Sequence, residues 1–297
     1  MTIDAPSQLA QSRSQRLNRI VSRDQLALVA DDTGPLDAPV VILLHGGGQT
    51  RHSWSGAAKA LSRQGYRVIN FDARGHGESG WSDAGAYALD DRVADLEAIV
   101  TQLDQPFALV GASLGGMTSI HAVAQDIRPA AVVLVDIVPH PEPQGISRIV
   151  TFMRAHPDGF ATLDAAVDAV AAYNPDRPRP RDPAGLMRNL RQRENGRFYW
   201  HWDPRIVSDR PQTFHETVQK SAVALAETGL PVLVVRGLKS DVVSDAGIAA
   251  FRAIVSHLEV ADVGGAGHMV AGDRNDAFNG SVIAFLERHL PVELGEG

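Results

Sequence analysis

The 297-residue chain carries 28 Lys and Arg against 35 Asp and Glu, a formal net charge of -7, with 44% apolar residues and no cysteine. No concentrated basic run is present to grip phosphate backbones, and the lack of thiols excludes disulfides, thiolate catalysis and thiolate metal sites. The length suits one large α/β domain or a core with an inserted subdomain, and no apolar run reaches the roughly 18 residues of a membrane span, so the expectation is a soluble cytoplasmic protein that binds neither nucleic acid nor membrane.

Residues 1–18 read as a mobile arm, since they lack the apolar stretch of a signal peptide. Gln25–Ala30 supplies a weak strand ahead of the turn signals Asp31, Asp32, Gly34 and Pro35. Val40–Leu44 is a continuous apolar run, expected for a buried parallel strand, and it leads into His45-Gly46-Gly47-Gly48. A helix over 53–61, a strand over 66–71 and the loop Asp72-Ala73-Arg74-Gly75-His76-Gly77-Glu78-Ser79 follow. Residues 91–103 then place Val93, Leu96, Val100 and Leu103 on one helical face.

Phe107–Val110 is a short apolar strand that reaches Gly111-Ala112-Ser113-Leu114-Gly115 and turns directly into a helical pattern. Small residues on both sides of Ser113 permit a sharp strand-to-helix turn that aims the hydroxyl out of the sheet, a nucleophile elbow. Residues 131–135 are again strand-like. From 139 to 210 the alternation stops: helical stretches at 146–154 and 163–173 and the proline-rich link 174–180 predict an inserted helical cap. A strand at 231–236, a helix at 244–257, a strand at 259–263 and a closing helix at 276–290 resume the pattern, the last with Phe278, Val282, Phe285 and Leu286 directed inward. The expected fold class is therefore α/β, a mostly parallel sheet flanked by helices, with a core of residues 1–138 and 211–297 and a cap of residues 139–210.

A serine hydroxyl is a poor nucleophile at neutral pH and needs an adjacent base, which itself needs an orienting acid. His268, in a glycine-rich loop between the last strand and the last helix, is positioned by order to be that base. Asp241, in the loop after the strand at 231–236, is the expected acid; Asp136, which ends the strand after the elbow helix, is the alternative. Backbone amides stabilise a developing oxyanion without reorganising, and the candidates are Leu114 and Gly47, with Gly48 as the alternative to Gly47. His45 is expected to order its own loop, and Arg74 to pin the 72–79 loop to neighbouring carboxylates. Asp245 reads as an early helix residue favoured by the amide dipoles. The triple glycine lacks a dinucleotide-binding spacing and the histidines at 45, 52 and 76 lack a metal-ligand pattern, so neither cofactor nor metal is expected.

HGGG at 45–48, DARGHGES at 72–79, GASLGG at 111–116, LKSD at 238–241 and GAGH at 265–268 stand in one order along roughly residues 25–290. In that order the chain resembles the α/β-hydrolase superfamily, specifically its capped esterase, lactonase and cofactor-free perhydrolase branch. The resemblance implies Ser113 as nucleophile, Asp241 as acid, His268 as base, and a loop glycine with Leu114 as oxyanion donors. It implies a serine-dependent carboxylic ester hydrolase acting on a small-molecule ester or lactone. Peracid formation, carbon-carbon hydrolysis and a non-catalytic receptor on the same fold are the other activities it leaves open. Epoxide hydrolases and haloalkane dehalogenases of this superfamily carry an aspartate at the elbow, and Ser113 speaks against both. For the substrate pocket the expected residues are His52 and Trp54 after the oxyanion loop, and Trp200 and Trp202 from the aromatic cluster Phe198–Trp202. The neighbouring cap arginines are candidates to receive a second carboxylate. A homo-oligomer stays open, because a surface cannot be mapped from sequence.

Overall fold

Along the parallel strands, alternate side chains decide which layer each residue joins. Val41 and Leu43 pack with Val110, Val133 and Val235 on one face, whereas Val40, Ile42 and Leu44 pack on the other with Ile69 and Leu109. The computed structural model describes residues 16–175, 179, 182–208, 213–268 and 275–293. The N-terminal arm up to residue 15 and most of the proline-rich link at 174–180 lie outside the described residues. The strands are β1 (Arg19–Val21), β2 (Ala27–Thr33), β3 (Val40–Leu44), β4 (Arg67–Phe71), β5 (Phe107–Ala112), β6 (Ala131–Val135), β7 (Leu190–Gln192), β8 (Phe198–Trp200), β9 (Val232–Gly237) and β10 (Glu259–Val263). Among the described residues eight of them form one sheet in the order β1-β2-β4-β3-β5-β6-β9-β10. It is antiparallel at β1/β2 and β2/β4 and parallel from there onward.

The first face is covered by α1 (Ser55–Arg63) and the last helix, α9 (Asn275–His289), whose Phe278, Val282, Phe285 and Leu286 are buried as expected. The opposite face carries α2 (Leu89–Val100), α3 (Leu114–Ala124), α7 (Phe214–Thr228) and α8 (Asp245–Ile254). No helix among the described residues is long and apolar enough to cross a membrane.

Two local expectations are revised. Asp31 and Asp32 belong to β2 and do not end it. The reason is charge pairing: buried Asp32 accepts hydrogen bonds from Arg67 (2.7 and 3.1 Å) on neighbouring β4 and from the Leu17 amide (2.8 Å), which removes any need for a turn. The segment between β6 and α7 holds α4 (Pro143–Arg154), α5 (Leu163–Tyr173) and α6 (Arg205–Ser208), but it also contains an antiparallel hairpin of β7 and β8. Its turn uses Asn195-Gly196, with Gly196 at φ +75°, and the hairpin lays Trp200 against the helices of the cap.

The elbow is a close junction: a Cβ on Gly111 would meet the Gly115 backbone at 2.5 Å. Ser113, at φ 46° and ψ -112°, keeps its place because its amide donates to Val135 O (3.1 Å) and its carbonyl starts α3 by accepting from Met117 N (3.0 Å). Such backbone strain costs about 1–3 kcal/mol, which the burial of roughly one core side chain offsets. A Cβ on Gly115 would sit 2.3 Å from the carbonyl oxygen of Leu44, so α3 approaches β3 at a distance only glycine allows. Gly115→Ala is therefore expected to cost about 1–3 kcal/mol through overpacking. A drop of several degrees in melting temperature should register it, while Gly185→Ala, where nothing lies within 4 Å of an added Cβ, should leave the melt unchanged.

Candidate active site

Ser113 leaves the end of β5 and Asp136 leaves the end of adjacent β6, and both take positive φ values, 46° and 49°. The fully buried Asp136 carboxylate is held from three directions. Its Oδ1 accepts from the Gly237 amide (3.0 Å), and its Oδ2 accepts from Ser240 Oγ (2.5 Å) and from Nδ1 of His268 (2.7 Å). With Nδ1–H committed to Asp136, His268 presents Nε2 as the lone-pair nitrogen that can receive a proton. Ser113 and His268 line one cavity together with Gly46, Gly47 and Gly48.

This geometry brings His268 to the alternative, Asp136, and not to Asp241, the residue expected from sequence. Asp241 does not meet His268; its carboxylate is 41% exposed and accepts from Arg148 (2.9 Å), which also donates to Tyr173 O at the end of α5. Within Leu238-Lys239-Ser240-Asp241 it is Ser240 that turns inward. Its Oγ accepts from the amides of Val242 and Val243 (3.1 and 3.2 Å), which directs its hydrogen to Asp136 and leaves the next side chain pointing out to the cap. Asp245 opens α8 as expected and pairs with Arg236 (2.6 Å).

The oxyanion candidates also separate. The Leu114 amide opens α3, where the first helical amides have no partner in the preceding turn. Gly48 N–H is engaged, donating to Nε2 of His76 (3.1 Å), whereas Gly47 lines the cavity beside Ser113. His45 orders its loop as expected: Nδ1–H donates to Gly46 O (2.8 Å) and Nε2 accepts from Ala73 N (2.9 Å). Arg74 donates to Asp95 (2.6 and 2.7 Å) and reaches Asp24, pinning the 72–79 loop.

A second Ser-His-Asp contact joins Ser221, His121 and Asp90 (2.8 and 2.7 Å). It differs in kind. Ser221 lies within α7 and donates to Thr217 O (2.7 Å), so its oxygen accepts from His121 and the group serves as a helix tie. Among the described residues no group of three or more His, Asp or Glu side chains is arranged to hold a metal ion.

A family model described as alpha/beta hydrolase fold matches residues 39–274. The chain belongs to the α/β-hydrolase family. An esterase of Mycobacterium tuberculosis is 31% identical over 248 residues, covering 80% of this chain and 79% of the esterase. A non-heme chloroperoxidase of Burkholderia pyrrocinia is 28% identical over 90% of this chain and 99% of its own length. Among solved structures, an α/β hydrolase of Novosphingobium aromaticivorans superposes with a TM-score of 0.74 at 26% identity, covering 91% of this chain and 97% of that one.

In this α/β hydrolase the cavity beside Ser113 offers about 160 Å³. Larger clefts exist, such as one of about 260 Å³ beside Tyr87, but neither Ser113 nor His268 lines it. Trp200 and Trp202 line the active cavity, stacked 4.8 Å apart at 11°, with Phe152, Tyr173, Ile149 and Met153 from the cap helices. His52 and Trp54 do not line it. Their short 3-10 turn, Arg51–Trp54, directs Ser53 to the cavity and buries Trp54 against Phe278 (5.8 Å) in the core beneath α1. The cap arginines have local duties: Arg191 donates to Gly77 O, Arg193 lies over the Tyr199 ring (3.9 Å), and Arg197 donates to Asp158 O and Gly159 O (2.7 and 2.8 Å).

Sequence reading missed His76 and His201. The two histidines are fully buried with His45, at ring separations of 5.0 Å (His45–His76) and 5.9 Å (His76–His201). Burial pushes all three pKa values down from the ordinary 6.5, that of His201 to about 3, and mutual repulsion lowers those of His76 and His201 further. The unfolded chain therefore binds more protons than the folded one below about pH 6.5, so stability present at pH 7 is lost as pH falls from there toward 3. Melting temperature should decline between pH 7 and pH 5, with a shallower slope in His201→Gln. For the acid, Asp136→Asn is expected to lower kcat by about 10³–10⁴ through the wrong imidazole tautomer. Asp241→Asn should change it by less than about tenfold, as befits an exposed ion pair; steady-state kinetics on both variants check the ranking.

Proposed function

We propose that the chain is a serine hydrolase that cleaves a compact, uncharged carboxylic ester through an acyl-enzyme. The observation that carries this reading is the 2.7 Å contact of His268 Nδ1 with buried Asp136 at the cavity that Ser113 lines. In the first half-reaction Ser113 Oγ bonds to the ester carbonyl carbon as its proton passes to His268 Nε2. The carbonyl oxygen becomes an oxyanion that accepts from the amides of Gly47 and Leu114, each such donor being worth about 3–4 kcal/mol in the transition state. Collapse expels the alcohol, which leaves with the proton from His268. Water then gives a proton to His268 as it attacks the acyl carbon, and collapse breaks the bond to Ser113 Oγ, which takes that proton back from His268 as the acid leaves.

The wall supports this substrate class. Its volume, about 160 Å³, is close to the roughly 150 Å³ that accommodates a benzene ring in an apolar cavity, so one ring or a short acyl chain fits. The described lining residues include the rings of Phe152, Tyr173, Trp200 and Trp202 with Asn174 and Asn189, and neither Lys nor Arg is among them. Among the described residues a second carboxylate on the substrate has no lining cation to meet there. The esterase relative supports ester hydrolysis over the other activities of the superfamily.

The test is a panel of p-nitrophenyl esters of rising chain length, phenyl-bearing esters, lactones and monoesters of dicarboxylic acids. Short or single-ring neutral esters should give the highest kcat/KM, and dicarboxylate monoesters the lowest. Ser113→Ala should lower kcat by at least about 10³, with one organophosphonate adduct by intact mass in the wild type and none in the variant. Trp200→Ala should reduce kcat/KM more for an aryl-bearing ester than for an acetate, because truncation removes a contact only the larger substrate makes. An adduct on another residue, or no adduct, would overturn the reading.

A further inference from the structure

Three consecutive glycines leave a backbone that can adopt many conformations, yet an oxyanion donor must be fixed before the reaction begins. The hydrogen bonds around Gly46-Gly47-Gly48 account for this one peptide plane at a time. The plane joining Gly46 to Gly47 is held through Gly46 O, which accepts from His45 Nδ1–H (2.8 Å) and from Gln49 N–H (3.1 Å). Because the peptide is planar and trans, holding that carbonyl also aims the Gly47 N–H, which points the opposite way. The plane joining Gly47 to Gly48 is held through Gly48 N–H, which donates to His76 Nε2 (3.1 Å). The plane joining Gly48 to Gln49 is held through Gly48 O, which accepts from His201 Nε2–H (3.3 Å).

The tautomers agree with these roles. His76 Nδ1–H donates to Arg74 O (3.1 Å), leaving Nε2 bare to accept. His201 Nδ1 accepts from Gly77 N–H (2.7 Å), leaving the hydrogen on Nε2 to donate. Each ring thus uses one donor and one acceptor, which requires it to be neutral, and burial among the other two histidines favours that form. The histidines come from three separate places: the end of β3, the 72–79 loop, and the cap.

His201 lies between two residues of another kind. Trp200 and Trp202 stack on each other in the cavity wall, while the intervening imidazole reaches the glycine loop at Gly48 O. The segment therefore contacts the substrate space and the oxyanion loop at the same time. We infer that His201, acting with His76, is a positioning residue: it holds the Gly48 peptides so that the Gly47 donor stays aimed at the developing oxyanion, and it makes that aim depend on the seating of the cap. This rests on the acyl-enzyme reading given above.

The two ring nitrogens of His201 can be tested separately. Asparagine places its amide where Nδ1 stood and keeps only the link to Gly77; glutamine reaches the position of Nε2 and keeps the link to Gly48. His201→Asn is expected to lower kcat by about 10- to 100-fold, less than the 10²–10³ of deleting an oxyanion donor outright, with KM within about twofold. His201→Gln should restore most of kcat although it too loses one hydrogen bond. Affinity for a trifluoromethyl ketone, which adds to Ser113 and forms an oxyanion, should fall in His201→Asn by the same factor as kcat, while thermal melts of the two variants stay close together. Should His201→Asn fail to fold, His76→Asn against His76→Gln makes the same comparison at the Gly48 amide.

Equal losses of kcat in the Asn and Gln variants, or ketone binding unchanged while kcat falls, would overturn the positioning role and leave the acyl-enzyme reading standing. Absence of a phosphonate adduct on Ser113 in the wild type would instead overturn both.

Discussion

A carboxylate removed from water must have its oxygens satisfied by the protein, because an unpaired buried charge is far more costly than any single contact can repair. Asp136, with no exposure, meets that requirement by gathering the Gly237 amide, the Ser240 hydroxyl and the His268 ring. These donors come from the end of β9, from the loop after it, and from the loop after β10. One charge therefore draws three segments of the C-terminal half onto the end of β6. The strained backbone of Asp136 persists because those partners over-determine it.

The oxyanion loop is stabilised by a different means. Its glycines supply no side chains, so order is imported through neutral histidines whose two nitrogens divide donor and acceptor duties. Beneath them Asp72 accepts from the amides of Arg51 and Glu78 (2.7 and 2.9 Å) and from the Arg51 guanidinium, which ties the 72–79 loop to the start of the first helical turn. On the cap side, Arg148 bridges exposed Asp241 and the end of α5. The core loop at 238–243 thus faces two ways, with Ser240 toward the buried acid and Asp241 toward the cap.

Much of this was legible in the sequence because parallel strands buried on both faces must be continuous apolar runs. Residues 40–44 and 131–135 were delimited by that pattern alone. The elbow was legible because only small residues tolerate the contacts around Ser113. The acid was not, since Asp136 and Asp241 both follow a strand, and the choice between them turns on a backbone dihedral at 136 and on which neighbour in 240–241 faces inward. The cap hairpin did leave a signal, Asn195-Gly196 between Leu190–Gln192 and Phe198–Trp200, but its strands are only three residues long each, too short for an alternation to register. His52 and Trp54 were misplaced because a 3-10 turn rotates successive side chains differently from the extended loop that proximity in sequence suggested. His76 and His201 carry no spacing rule, as each is defined by a backbone group more than twenty residues away.

The distribution of the three groups along the chain bears on the order in which the molecule becomes competent. Ser113 and Asp136 end neighbouring strands joined by one helix, a local unit that can form early, whereas His268 meets Asp136 across 132 residues. A chain emerging from the ribosome organises its N-terminal part first. Until β10 pairs with β9, the loop carrying His268 has no place beside Asp136, and Ser113 stands at the elbow without the histidine that shares its cavity.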